Sequence, residues 1–205
     1  MEKTKSGPIW SVIEYARRAV TPFVINLMFG MTMFACAAIK NDEARIILSY
    51  LLLVLTYIAS FVLIRTMGEN AYKMKVAGER KRKGQPLGLT DSKDAYWPAK
   101  EYRGYKGFVI GAVVSLIPIV FIVIDAAAGV SGVRVACAML AGWAFFPPVV
   151  ISTSANILFS LIPCAIQIVV AGVAYIMGGN KEKLRQFALE QREADVSKAK
   201  GEKKR

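Results

Sequence analysis

The residue types that carry most enzyme chemistry are absent or isolated in this sequence. Histidine does not occur among the 205 residues, which removes the commonest general base and a frequent metal ligand. Cys36, Cys137 and Cys164 each lie inside an apolar run, and none has a CxxC partner. We therefore predict that the cysteines are small buried packing residues, and that they form neither a metal site nor a disulfide framework.

The remaining nucleophiles and acids also lack the neighbours that catalysis needs. Ser152, Thr153 and Ser154 have no adjacent lysine or carboxylate that could activate a hydroxyl. Acidic residues are scattered through polar segments, with Asp125 alone at the end of an apolar run, and residues 84–88 match neither a P-loop nor a Rossmann turn. The sequence thus predicts a protein that is not an enzyme and has no metal or cofactor.

Composition points to the bilayer as the environment of this chain. Apolar residues make up 55% of it and the net charge is +12, with a mean hydropathy of +0.40. The apolar and basic residues occupy separate blocks, whereas a soluble fold mixes them within each element. This segregation predicts an all-α integral membrane protein with about four transmembrane helices. Nucleic-acid binding is the weaker interpretation of the basic charge.

Four apolar runs are long enough to cross a hydrocarbon core: residues 20–39, 46–64, 108–124 and 157–177. If residues 1–19, the loop 65–106 and the tail from 179 are cytoplasmic, only Lys40, Arg45 and Arg134 of the 27 basic residues lie on the other side. The positive-inside rule therefore favours an even number of spans and places both termini in the cytoplasm. The chain divides into that N-terminal segment, a hairpin at 20–64, the basic loop, membrane helices at 107–178 and a basic tail at 179–205. The composition of the tail predicts a helix at its start and a solvated, disordered stretch at its end.

A fifth apolar piece, residues 135–151, is short, rich in Gly and Ala, and interrupted by Pro147 and Pro148. We expect a re-entrant or interfacial segment on the outer side that packs against the bundle, because irregular backbone at membrane depth needs protein or water around it. A fifth span is the alternative. Together with Ser152, Thr153 and Ser154, this piece could also form a pore loop or a broken helix, as channels and transporters use.

The loop at 65–106 contains two features that could contact lipid or a partner. Helical spacing of apolar residues and the basic run Arg80, Lys81, Arg82 and Lys83 predict that the second helix continues to about residue 83. An irregular loop is the alternative. Trp97, Tyr102 and Tyr105 lie among cations just before the third span, a pattern typical of membrane-interface anchors.

Helix packing inside the membrane is predicted at a few polar and small residues. Gly111 and Ser115 continue a four-residue spacing that begins at Gly107, so one face of the third helix is small enough for close approach. Asn26 and Gln167 are uncharged polar residues within the spans, and we expect them to form interhelical hydrogen bonds. The spans contain no Asp, Glu, His, Arg or Lys, which disfavours an ion-coupled pump.

These observations support a function hypothesis that rests largely on absences. The leading interpretation is a non-enzymatic accessory or scaffold protein of a bacterial cytoplasmic membrane, with a basic cytoplasmic surface. Anionic lipid headgroups are the expected contacts of its basic residues, and other membrane proteins or further copies of the chain are alternative partners. A channel or transporter component that uses residues 135–156 is the alternative from another functional class.

Overall fold

The computed structural model describes residues 8–36, 38–82, 100–128, 131–151 and 157–202, and within them every regular element is helical. The six α-helices are α1 (Pro8–Cys36), α2 (Asp42–Arg82), α3 (Lys106–Ala128), α4 (Ser131–Leu140), α5 (Gly142–Ile151) and α6 (Leu161–Glu202), with a 3₁₀ helix at Ile157–Ser160 just before α6.

Four of these helices, α1, α2, α3 and α6, are long and apolar enough to cross a membrane, which agrees with the four predicted spans. We call the end where α1 and α3 begin the basic end, and the end where α4 and α5 lie the opposite end. The contacts between helices fix their directions: α1 and α3 run away from the basic end, and α2 and α6 run towards it.

The first long helix begins at Pro8, twelve residues before the predicted span. Along this extension the apolar side chains of Ile9, Val12 and Ile13 are exposed. Glu14 and Arg18 occupy another face, where Glu14 is buried inside the bundle. These charges interrupt the apolar run in the sequence. On a helix, however, they lie on a different face from the apolar side chains.

The second and last helices continue well past their apolar segments towards the basic end. The α2 helix runs without interruption through residue 65 to Arg82, which confirms the predicted extension and excludes an irregular loop over residues 65–82. The α6 helix continues to Glu202, whereas composition alone had indicated that the tail ends as a solvated, disordered stretch. We call residues 65–82 and 178–202 the two helical arms.

The interior consists of two apolar clusters with polar side chains between them along each long helix. The cluster near the opposite end includes Met33, Leu53, Ile122 and Cys164. The cluster near the basic end includes Ala19, Ile64, Val114 and Ala171. The buried polar residues that fall between them in sequence are Asn26, Thr56, Ser60, Ser115 and Gln167.

The fifth apolar piece forms two ten-residue helices, and the break between them falls at Ala141. The sequence had indicated that Pro147 and Pro148 interrupt the segment, but both residues lie within α5. At 1.5 Å per residue each helix spans only ~15 Å, too short to cross a bilayer. Residues 141–147 are all buried, and both short helices pack on α1. The predicted packing against the bundle is thus present, and within the described ranges only the four long helices could span a membrane.

Candidate functional site at the basic end

Glycines let the helices of the basic end approach until backbone meets backbone. A Cβ added at Gly68 would collide with the Tyr175 carbonyl group, and one added at Gly178 with that of Arg65. Across α3 and α6, a Cβ on Gly111 would lie 2.8 Å from Cβ of Ala171, and Ser115 Oγ donates to the Cys164 carbonyl at 3.3 Å. The small face predicted from Gly111 and Ser115 is therefore packed tightly against α6.

A charged cluster lies where α1 meets the segment that leads into α3. Arg18 Nε donates to Glu14 Oε1 at 2.6 Å, and Arg18 Nη2 donates to the Lys100 carbonyl oxygen at 3.5 Å. Lys106 Nζ donates to the next carbonyl oxygen, that of Glu101, at 2.6 Å. The cationic groups of Arg18 and Lys106 thus converge on two consecutive carbonyls, and Lys106 itself is buried.

Tyr102 joins this segment to both helical arms. Its backbone N–H donates to the Ala71 carbonyl oxygen at 3.1 Å, and its ring stacks on Tyr175 with 5.3 Å between centroids and 3° between planes. The ring also covers Gly179, where a Cβ would overlap it. Tyr102 is therefore a half-buried packing residue between α2 and α6, and its predicted role as a membrane-interface anchor stays a prediction.

Tyr105, by contrast, is 52% exposed. Arg103 Nη1 donates to its hydroxyl oxygen at 3.3 Å, and this hydrogen bond lowers the pKa of Tyr105. The pKa of Tyr102 shifts in the other direction, because burial raises it. The third predicted anchor, Trp97, lies outside the described residues.

The arms carry the basic charge past the apolar part of the bundle. Arg80 is half-buried on α2, and Lys81 and Arg82 follow it in the last turn of that helix, while Lys83 lies outside the described residues. An ion pair of 2.9 Å between Lys181 Nζ and Glu69 Oε1 links the arms. On the α6 arm, Leu184 and Phe187 are 70% and 58% exposed among charged neighbours, so nothing in the described part of the chain covers them.

The two predicted interior hydrogen-bonding residues behave differently. Asn26 Oδ1 accepts a hydrogen bond of 2.9 Å from Ser60 Oγ and so joins α1 to α2. Gln167 is fully buried, but neither atom of its amide has a hydrogen-bond partner among the described residues. The interhelical bond predicted for Gln167 is therefore absent from that part of the chain.

The opposite end offers little to a pore or a metal. Pro147 is buried and its carbonyl oxygen accepts a bond of 3.3 Å from Tyr50, while Ser152, Thr153 and Ser154 lie outside the described residues. Trp143, Phe145 and Phe146 pack into the apolar cluster there. The three cysteines are free and buried, and within the described ranges no group of His, Cys, Asp and Glu could hold a metal ion.

Sequence reasoning missed Glu14, Arg18, Lys106 and Tyr175 as members of a buried polar cluster. The signal that could have found the first two is their spacing, because a glutamate and an arginine four residues apart lie on the same helix face. No local pattern brings Lys106 and Tyr175 to them, since those residues come from two other helices. The chain matches no protein-family model, no curated protein and no solved structure.

Proposed function

We propose that this protein is a non-enzymatic membrane scaffold that holds a rigid basic helical arm at the cytoplasmic surface for a protein partner. The observation that carries the proposal is the unbroken course of α6, which runs from its apolar segment to Glu202. The arm adds about 25 residues, or ~37 Å, to the spanning part. A continuous helix transmits the position of the membrane part directly to the arm.

The arm is anchored by the tight contacts of the basic end. Gly68 and Gly178 bring α2 and α6 together, Tyr102 packs over Gly179, and Lys181 pairs with Glu69. Beyond this anchored part, Leu184 and Phe187 are exposed at a spacing of three residues, on one helix face. Cations surround them, at Lys183, Arg185 and Arg192.

This chemistry fits an acidic protein surface with an apolar groove that receives one helix face. The positive-inside rule places the arm in the cytoplasm, and the uncharged character of the predicted spans suits a bacterial cytoplasmic membrane. A channel that uses residues 135–156 receives less support, because residues 141–147 are buried in an apolar cluster and leave no polar lining in that part of the segment.

Purification from native membranes in mild detergent tests the proposal with two matched variants. Leu184→Ala/Phe187→Ala removes the exposed apolar face of the arm. Ile58→Ala/Val62→Ala removes two exposed apolar side chains from the apolar segment of α2. We expect a stoichiometric partner with the wild type and the α2 variant, and its loss with the arm variant. Recovery of a homo-oligomer that carries ions or solute in proteoliposomes would instead establish the channel function.

A further inference from the structure

The polar cluster at the basic end contains hydrogen-bond donors that no described residue satisfies. Arg18 uses Nε on Glu14 and Nη2 on the Lys100 carbonyl, but its buried Nη1 has no partner in the described chain. The hydroxyl of Tyr175 is likewise fully buried, and its described hydrogen-bonding neighbour is Arg18; because a guanidinium can only donate, the hydroxyl proton of Tyr175 has no acceptor in the described chain. Burying such donors without an acceptor is costly, so an acceptor from outside the chain is expected.

Charge at this place favours an anion as that acceptor. Arg18 and Arg103 are both close enough to act electrostatically on Lys106, which has only 4% of its surface exposed. Glu14 is paired with Arg18, and Glu101 is the other acidic residue that acts on Lys106. Among the described residues, three cations against two carboxylates leave a positive balance in a partly desolvated site, where an added anion is held strongly.

We propose that the cluster of Arg18, Lys106, Arg103 and Tyr175 binds a phosphate group, carried by an anionic phospholipid of the adjacent leaflet. Phosphate oxygens accept hydrogen bonds from guanidinium and hydroxyl donors and match the charge of the site. This inference does not depend on the arm or on its protein partner.

A lipid, as opposed to free phosphate, is favoured by the surface beside the cluster. Val20 and Val24 follow Arg18 along α1 towards the opposite end and are 57% and 44% exposed, so they offer an apolar surface for acyl chains on the membrane side of the charged residues. The cluster also lies at one end of the apolar segments, where α3 begins at Lys106. That is the level at which basic pockets between membrane helices meet headgroups.

The test compares phosphatidylglycerol, phosphatidylcholine and inorganic phosphate on the full chain, purified free of lipid in detergent. Native mass spectrometry counts the bound lipid, and the shift in unfolding temperature reports all three ligands. Tyr175→Phe removes one oxygen from the site, and Arg103→Gln removes an exposed cation. Both variants keep Glu14 and Arg18, so the ion pair between those two residues is retained. Arg192→Gln, an exposed cation on the α6 arm, is the control for net charge.

We expect the wild type and Arg192→Gln to retain phosphatidylglycerol and to unfold at a higher temperature when it is present. Tyr175→Phe and Arg103→Gln should each weaken that binding by about fivefold or more, as the loss of one charge-assisted hydrogen bond or contact predicts. Equal stabilisation by inorganic phosphate would overturn the lipid assignment. Binding that is unchanged in both site variants, or reduced equally in Arg192→Gln, would overturn the site.

Discussion

Single glycines determine how closely α2 and α6 pack at the basic end. At Gly68 the neighbouring atom is a backbone carbonyl of Tyr175, so no side-chain rotation can make room for a Cβ. At Gly132, by contrast, nothing lies within 4 Å of the added atom. These two glycines therefore allow a matched test in which the same methyl group is added to a crowded and to an open position.

Gly68→Ala should lower the free energy of unfolding by about 1–3 kcal/mol, since overpacking forces the two helices apart. Gly132→Ala should be neutral or stabilising by up to about 1 kcal/mol, because alanine has the higher helix propensity. Thermal or denaturant unfolding in detergent, followed by circular dichroism, measures both. Equal stability of the two variants would contradict the close approach of α2 and α6.

Buried amides provide a second test at the residue scale. Gln167→Met keeps the side-chain length while removing an amide that has no partner in the described structure, so we expect a gain of about 1 kcal/mol. Ser60→Ala removes the hydrogen bond to Asn26 and should cost about 0.6 kcal/mol, the average for interhelical bonds in membranes. The same unfolding assay compares them, and a loss of stability in Gln167→Met would show that its amide has a partner.

At the scale of elements, α4 and α5 form a packed cap on the bundle. Trp143 is fully buried, and Gly30 of α1 lies so close to this region that an added Cβ would be 3.0 Å from the Trp143 backbone nitrogen. The cap therefore resembles a piece of protein core more than the wall of a pore.

Trp143→Ala should destabilise the protein by about 3–5 kcal/mol, the usual cost of emptying a buried aromatic site. Phe159→Ala serves as the control, because Phe159 is 53% exposed and its removal should cost much less. Unfolding in detergent gives both values. A small effect for Trp143→Ala would mean that the cap is loosely attached.

Pairing of the two arms is a further property of elements. The Lys181–Glu69 ion pair is solvent-accessible, with 57% of the Lys181 side chain exposed, so it adds little to stability. Its contact distance nevertheless makes it a chemical reporter. A zero-length carbodiimide cross-link should join Glu69 to Lys181, and peptide mass spectrometry should find it in the wild type but not in Glu69→Gln. Preferential linkage of Glu69 to Lys183 would contradict this register.

For the whole molecule, the direction of the four long helices places the start of α1 and the end of α6 at the same end. Among the basic residues that the structure describes, only Lys40, Arg45 and Arg134 lie towards the opposite end, so the charge asymmetry of the sequence coincides with the two ends of the bundle. An orientation with the basic end in the cytoplasm follows from this asymmetry as a prediction.

Labelling of single cysteines with an impermeant maleimide tests the orientation in a background that lacks the three native cysteines. Lys40→Cys and Lys183→Cys place the label at exposed positions of opposite ends. We expect Lys40→Cys to react in intact cells and Lys183→Cys to react only after permeabilisation. The reverse pattern would invert the topology and place the α6 arm outside the cell.

Some of these features were accessible from the sequence because they depend on local patterns. The four long apolar helices follow from hydropathy and length, and the extension of α2 from helical spacing and stop signals near residue 83. The small face of α3 also follows from spacing, because residues four apart, such as Gly111 and Ser115, share one side of a helix. Hydropathy could not find the start of α1, because Glu14 and Arg18 lower the average hydropathy of its first turns. On the helix these two charges lie on a different face from the exposed apolar side chains.

Only the tertiary structure decided which side chains meet. Arg18, Lys106 and Tyr175 come from three helices, and contacts between helices far apart in sequence leave no periodic signal in any one of them. The same holds for Gln167, whose burial shows only when its neighbours are in place, and for Tyr102, whose ring packs on Tyr175 although its sequence context is typical of a membrane interface. Local pattern thus determined the helices, and close packing between their backbones determined the site.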